Sequence, residues 1–229
     1  MTAHGRIARA AAASVLLAVV WLAGCEQPEI TPTKGISELT LPTAEAAAVT
    51  EEHFVMNWLL LGPFTFDAND FGGEHQQPAA DKEFMPQERH LNGTQAAPEP
   101  ATWQEKQFTG GDRPGRIDLD ALYEGIDHAA AYAVCWLNCP QDVPDATLLV
   151  GSDDYITVWI NGKLVHCYKK ERRAAEADQD KIENIALKKG YNRVVVKCID
   201  VVLGWDFYLR LTDKDGKPIA AKAKPPAEK

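Results

Sequence analysis

Four cysteines lie in the second half of this 229-residue chain, at Cys135, Cys139, Cys167 and Cys198. They can pair, bind metal or stay as thiols. Their spacing lacks the paired two-residue gaps of a zinc ribbon, and no histidine cluster completes a tetrahedral set. In an oxidising compartment two disulfides are possible, with three pairings open. Cys135 and Cys139 can join only if the chain turns between them, because an extended step of ~13 Å exceeds the ~7 Å Cα limit. The six histidines are scattered: His4, His53, His75, His90, His128 and His166. Neither H-E-x-x-H nor G-x-S-x-G occurs. Acids follow Gly151-Ser152 where a nucleophile elbow would start a helix. A glycosidase pair needs two carboxyl groups ~5–10 Å apart across a cleft, and no spacing here marks one. The chain therefore reads as non-catalytic.

What remains is recognition chemistry. Trp159 and Trp205 offer flat rings, Arg172 and its neighbour Arg173 offer donors, and Asp153 and Asp154 offer acceptors. Each also has a plainer reading. Asp153 and Asp154 can shape the turn before a strand by accepting backbone N–H groups. Trp205 shares its register with Phe207 and Leu209 and suits a core. The Glu171-Arg-Arg-Ala run suits a solvated face.

The elements that position these residues read as β. The clearest is Tyr155-Ile-Thr-Val-Trp-Ile-Asn-Gly-Lys-Leu-Val-His-Cys-Tyr168. Asn161-Gly162 suits a two-residue type I′ turn, whose central positions both need φ > 0. That turn pairs Ile160 with Lys163, Trp159 with Leu164, Val158 with Val165, Thr157 with His166, and Ile156 with Cys167. Alternation then puts Ile156, Val158, Ile160, Val165 and Cys167 on a core face. Tyr155, Thr157, Trp159, Leu164, His166 and Tyr168 share the other face. That face either packs beneath a loop or stands as an exposed platform for a ligand.

Further strands are expected at 57–62, 102–108, 128–137, 147–151, 182–187, 191–200 and 205–211. Short strands separated by turn signals indicate a sandwich or barrel. Residues 67–100 are polar and rich in Gly, Pro and Gln, as in a long surface loop. Short helices are possible at 120–125 and 171–178. The organisation expected is a leader over 1–24, a flexible tether over 25–52, one β domain over 53–213, and a disordered tail over 214–229.

Lys and Arg number 24 against 33 Asp and Glu, a formal charge of −9. Such a surface repels nucleic acid phosphates and anionic lipid heads, and it excludes a nucleic acid partner. The first residues carry Arg6 and Arg9, no acid, and an apolar run from Ala10 to Ala23. This is a secretory signal, too short for a spanning helix of roughly 20 apolar residues plus flanks.

Leu22-Ala23-Gly24-Cys25 resembles the lipobox of bacterial lipoproteins. The resemblance implies cleavage before Cys25, acylation of Cys25, and anchoring to a bacterial envelope membrane that the chain does not cross. Glu26 stands where some inner-membrane lipoproteins have aspartate, which favours the outer membrane.

The domain carries Asn57-Trp-Leu-Leu-Leu-Gly-Pro-Phe64, Gly151-Ser-Asp-Asp154, Val158-Trp-Ile-Asn-Gly-Lys163, Leu187-Lys-Lys-Gly-Tyr-Asn192 and Trp205-Asp-Phe-Tyr-Leu-Arg210, in that order. These resemble the galactose-binding-like jelly-roll domains of exported bacterial proteins. They are also similar to the sugar-binding domain of β-galactosidase-type glycoside hydrolases. The resemblance implies an all-β jelly-roll sandwich and a carbohydrate-binding module. Asp153, Asp154, Trp159, Arg172 and Trp205 are its expected ligand contacts. Ser-Asp-Asp followed by a strand also looks like the protective-antigen-type lectin domain, in some members of which two consecutive aspartates bind calcium. That likeness implies Asp153 and Asp154 as calcium ligands, although two carboxylates fall short of the six to eight oxygens calcium takes. The alternative is a structural or protein-interaction module of the envelope without a sugar ligand.

Overall fold

The computed structural model describes residues 53–72 and 77–219. The expected leader, Cys25, the tether up to residue 52 and the tail beyond residue 219 lie outside the described residues. Among the described residues ten strands form two antiparallel sheets. The larger contains β1 (Asn57–Thr65), β2 (Thr102–Gln107), β4 (Ala129–Cys139), β6 (Tyr155–Ile160), β7 (Lys163–Tyr168) and β9 (Gly190–Asp200). Their order across the sheet is β2-β1-β4-β9-β6-β7. The smaller contains β3 (Ile117–Asp118), β5 (Val143–Asp153), β8 (Asp180–Leu187) and β10 (Asp206–Thr212). Their order is β3-β10-β5-β8. The fold is the all-β sandwich that the alternation implied. Every expected strand forms, and the two-residue β3 is added to them. A single turn of helix, α1 (Leu119–Leu122), follows β3, capped where Asp118 Oδ1 accepts from Ala121 N at 2.9 Å.

The inner faces meet in one core. Trp58, Leu60, Val158, Val194 and Val196 pack from the six-stranded sheet, and Leu148, Val150, Trp205, Phe207 and Leu209 from the four-stranded side. Trp58 and Phe207 meet edge to face at 5.3 Å. Each such side chain contributes ~1.5–3 kcal/mol by leaving water.

The outer face of the six-stranded sheet is buried too. Leu59, Leu61, Tyr132, Val134, Trp159 and Val195 form a second apolar row. The described residues of the expected surface loop 67–100, namely 67–72 and 77–100, lie over this face as a cover that contains short 3₁₀ turns. Ala79, Met85 and Leu91 of the cover are buried. A sheet covered on both faces explains why β4 and β6 read as nearly unbroken apolar runs. Lys197 and Glu88, both only 1 % exposed, fasten the cover by an ion pair at 2.9 Å. Tyr132 donates to the second oxygen of Glu88 at 2.5 Å, and Lys197 Nζ also donates to Lys82 O.

The Asn161-Gly162 turn forms as expected, with φ of 53° and 80°. Its register departs from the expected one after two pairs. Ile160 faces Lys163 and Trp159 faces Leu164, but a bulge then sets Val158 opposite His166, Thr157 opposite Cys167 and Ile156 opposite Tyr168. The extra residue, Val165, exchanges the faces of β7 beyond it. His166 thereby turns inward and bonds Asp180 of β8 at 3.0 Å, while Tyr168 packs on the core.

Cys135, Cys139 and Cys198 are buried free thiols, so the two-disulfide framework does not form. Cys135 and Cys139 sit on one continuous strand, β4, which keeps them apart. Residues 171–178 form no helix. The ordered unit continues past the expected boundary at residue 213. The chain turns over residues 213–217, and Ile219 N donates to Leu211 O at 3.0 Å.

Candidate functional site

β5 belongs to one sheet and β6 to the other, so Asp153 and Asp154 occupy the crossing between layers at one end of the sandwich. The peptide joining them is cis. Asp154 is buried, and its carboxylate is committed to backbone: Oδ2 accepts from Val201 N at 2.9 Å and Oδ1 from Arg173 N at 3.3 Å. This is the turn-shaping role open to such a pair. Arg172 Nε stands 3.8 Å from Asp154 Oδ1 and has no hydrogen-bond acceptor.

The crossing is surrounded by other acids. Asp206 pairs with Asp153 across β10 and β5. One oxygen of Asp206 takes Arg116 at 2.7 Å, and the other is buried without a partner. Asp200 closes β9, is 1 % exposed, and its Oδ1 is likewise buried without a partner. Burial, then the neighbouring Asp154, Asp127 and Asp153 charges, pushes the Asp200 carboxyl up to about 8. Burial and then Asp154 and Asp206 push Asp153 up to about 8 as well. Such crowding favours either retained protons or a cation.

The loop 201–205 links β9 to β10 beside these acids. Leu203 stands out at its tip, 80 % exposed and held at φ 81°. That left-handed conformation costs an L-residue ~1–2 kcal/mol. Leu203 N is held by Asp127 Oδ1 at 3.1 Å. Gly204 follows because a Cβ there would lie 2.6 Å from Asp153 Oδ2.

Of the expected contact residues, Asp153, Asp154 and Arg172 are brought together here. Trp159 lies elsewhere, and Trp205, though in the adjoining loop, offers the site no ring. Trp159 has no exposed surface, because the cover lies over it, so it presents no ring to a ligand. Of the two readings left open for that hairpin face, burial beneath a loop is the one that forms. Trp205 is equally buried and stacks on Tyr123 at 5.1 Å as part of the core. Asp200, Asp206 and Leu203 were missed as site residues. The available signal was an acid ending a strong apolar strand just before Val-Val-Leu-Gly.

Among the described residues no group of three acidic, histidine or cysteine side chains could hold a metal ion, and both Asp154 oxygens are taken by backbone N–H groups, so the expected calcium ligands Asp153 and Asp154 do not make a calcium site.

No family model matches this chain. No curated protein matches it either. Among solved structures it is similar to the PA14 sugar-binding domain from an RTX adhesin, at 12% identity over 75% of this chain and 99% of that one, with a TM-score of 0.36. The PA14 domain of the MpAFP antifreeze protein aligns at 13% identity over 75% of this chain and 73% of that one, with a TM-score of 0.33. The Ruminococcus gnavus beta-glucuronidase aligns at 14% identity over 65% of this chain and 21% of that one, with a TM-score of 0.34. These likenesses are low, and the reading of the site rests on its own geometry.

Proposed function

We propose that this is a lipid-anchored, non-catalytic envelope protein whose domain binds carbohydrate at the acidic end of the sandwich. The observation that carries this reading is Leu203, exposed and held in a costly conformation in the short loop between Asp200 and Asp206. Costly backbone retained at a surface calls for a function there. An apolar side chain next to fixed acceptors and a guanidinium matches a sugar, which offers C–H faces and hydroxyls together. Leu203 would pack on the ring, the half-buried Asp153 would accept from a hydroxyl, and Arg172 would donate.

The non-catalytic part of the reading has its own support. His166 and Asp180 resemble a catalytic dyad in type, but Arg173 grips both oxygens of Asp180 and stacks its guanidinium 3.4 Å from the Tyr168 ring centre. The pair serves as a clamp between β7 and β8. Anchoring through Cys25 rests on the sequence alone.

Calorimetric titration of the full chain with plant, algal and bacterial polysaccharides, with and without calcium, tests the binding. Saturable heat that Asp153→Asn and Leu203→Ala each weaken supports it. Silence across the set removes it. Partition of the expressed protein into a detergent phase, lost in Cys25→Ala, tests the anchor. One observation favours a second reading, a protein-interaction module: the hairpin aromatics Tyr155 and Trp159 are buried by the chain's own cover, so that face holds no stacking platform. Stoichiometric co-purification of one envelope protein would support that reading.

A further inference from the structure

A second polar cluster lies away from the acidic end, where the tip of the β6–β7 hairpin meets the cover and β9. His90 ends the last 3₁₀ turn of the cover (Glu88–His90). Its ring rests on Gly162, where a Cβ would come within 2.7 Å of His90 Cε1. Arg193 lies on the outward row of β9, opposite Trp136 of β4. Asn161 fixes its backbone twice: Asn161 Oδ1 accepts from Arg193 N at 3.0 Å, and Asn161 N donates to Arg193 O at 2.8 Å.

The side chain of Arg193 is left short of acceptors. Its Nη2 reaches only the His90 Nδ1 atom, at a long 3.4 Å. Its Nε is buried with no partner. Nε and Nη2 form the side-on fork of a guanidinium, the edge that takes two oxygens of one anion. In contrast, Arg116, Arg172, Arg173 and Arg210 each stand within ion-pair distance of an aspartate. Burial alone pulls Arg193 below its ordinary value, with no acid offsetting it. Burial, then Arg193 and Arg89, likewise holds His90 below the usual histidine range. A local excess of positive charge in a chain of formal charge −9 is a specific feature.

We propose that Arg193 and His90 form a binding site for a small oxyanion, a carboxylate, sulfate or phosphate group, seated on the Nε–Nη2 fork of Arg193. The anion supplies the two missing acceptors and the missing negative charge. His90 gives up its long contact with Nη2, moves aside, and turns an N–H towards the ligand. The site is independent of the carbohydrate reading, because it shares no residue with the acidic end.

The experiment is a titration of the full chain with sodium sulfate, sodium phosphate and sodium glucuronate separately, at constant ionic strength. NMR follows the His90 imidazole and the backbone amide of residue 193. The expected result is a saturable shift of both signals for at least one anion, and the tightest of the three identifies the source of the oxyanion. Arg193→Gln should weaken that binding about 10-fold or more, as loss of charge-assisted hydrogen bonds does. His90→Gln, read through the residue 193 amide, is the second variant and should weaken it less. A linear, unsaturable drift with all three anions in the unaltered chain overturns the proposal. So does saturable binding that both variants leave unchanged. If Arg193→Gln fails to fold, the unaltered chain and His90→Gln still decide the question by these same outcomes.

Discussion

The Lys197–Glu88 pair gives the sharpest test of how the cover is held. Replacing Lys197 with Met keeps the volume of the stem but leaves the Glu88 carboxylate buried beside Tyr132 without the Lys197 ammonium. Removing one partner of a buried pair costs ~3–5 kcal/mol, because the remaining charge stays out of water. In a domain of this size each kcal/mol lowers the melting temperature by roughly 2–4 °C, so the midpoint should fall by about 6–20 °C. Replacing both residues, Lys197→Met with Glu88→Leu, removes both charges and should restore most of the loss, since buried pairs and apolar substitutes come out within about 1–4 kcal/mol. Urea unfolding followed by circular dichroism on the four members of the cycle gives the coupling. Single losses below about 1 kcal/mol, or single losses that simply add in the double variant, would refute the claim that this pair fastens the cover.

Other expectations follow from the same geometry. Leu203→Gly should raise stability by ~1 kcal/mol through relief of the left-handed backbone while lowering sugar affinity, and a loss of both in titration and unfolding would contradict the role assigned to it. Asp180 is pushed up by burial but pulled down further by His166 and Arg173, so its carboxyl ends below the ordinary 3.8. A depressed acid stabilises above its unfolded value and loses that contribution as pH falls through the folded one. Asp180→Asn should therefore flatten the acid limb of the stability curve below about pH 4 and cost stability at pH 7, as read by melting scans across pH. Asp153 and Asp200, pushed up to about 8, keep protons that the unfolded chain gives up near 3.8, so their contribution to stability should fall as pH rises from about 4 to about 8, and melting scans of Asp200→Asn should lose that part of the slope.

Strand positions and the sandwich class were legible because alternation, apolar runs and the Asn161-Gly162 turn each state a local preference. The bulge at Val165 was not, because nothing in Lys-Leu-Val-His-Cys-Tyr distinguishes a regular strand from one with an extra residue. Without the bulge, His166 falls on the wrong face. The cover was also hidden. Its polar composition reads as loop, yet a few residues, Ala79, Met85, Glu88 and Leu91, suffice to seal a sheet face. That sealing took Trp159 out of the site. Trp205 had been ambiguous between ligand and core, and its ring contact with Tyr123 decides for core. Asp153, Asp154 and Arg172 came together as expected because they lie in or beside one crossing. Asp200 closes β9, far along the chain from that crossing, so only folding brings it there.

The cover also constrains the order in which this protein folds. Its anchors, Tyr132 and Lys197, belong to β4 and β9, which must pair before they stand side by side. Until then the described cover, residues 67–72 and 77–100, has no surface on which to settle. The expected order is that the central ribbons assemble first and the segment between β1 and β2 closes over them last, in keeping with the delay that distant pairings impose. Pulsed hydrogen exchange at the Phe84 and Leu91 amides of the cover would report that final closure, their protection arriving after that of β4 and β9 is complete.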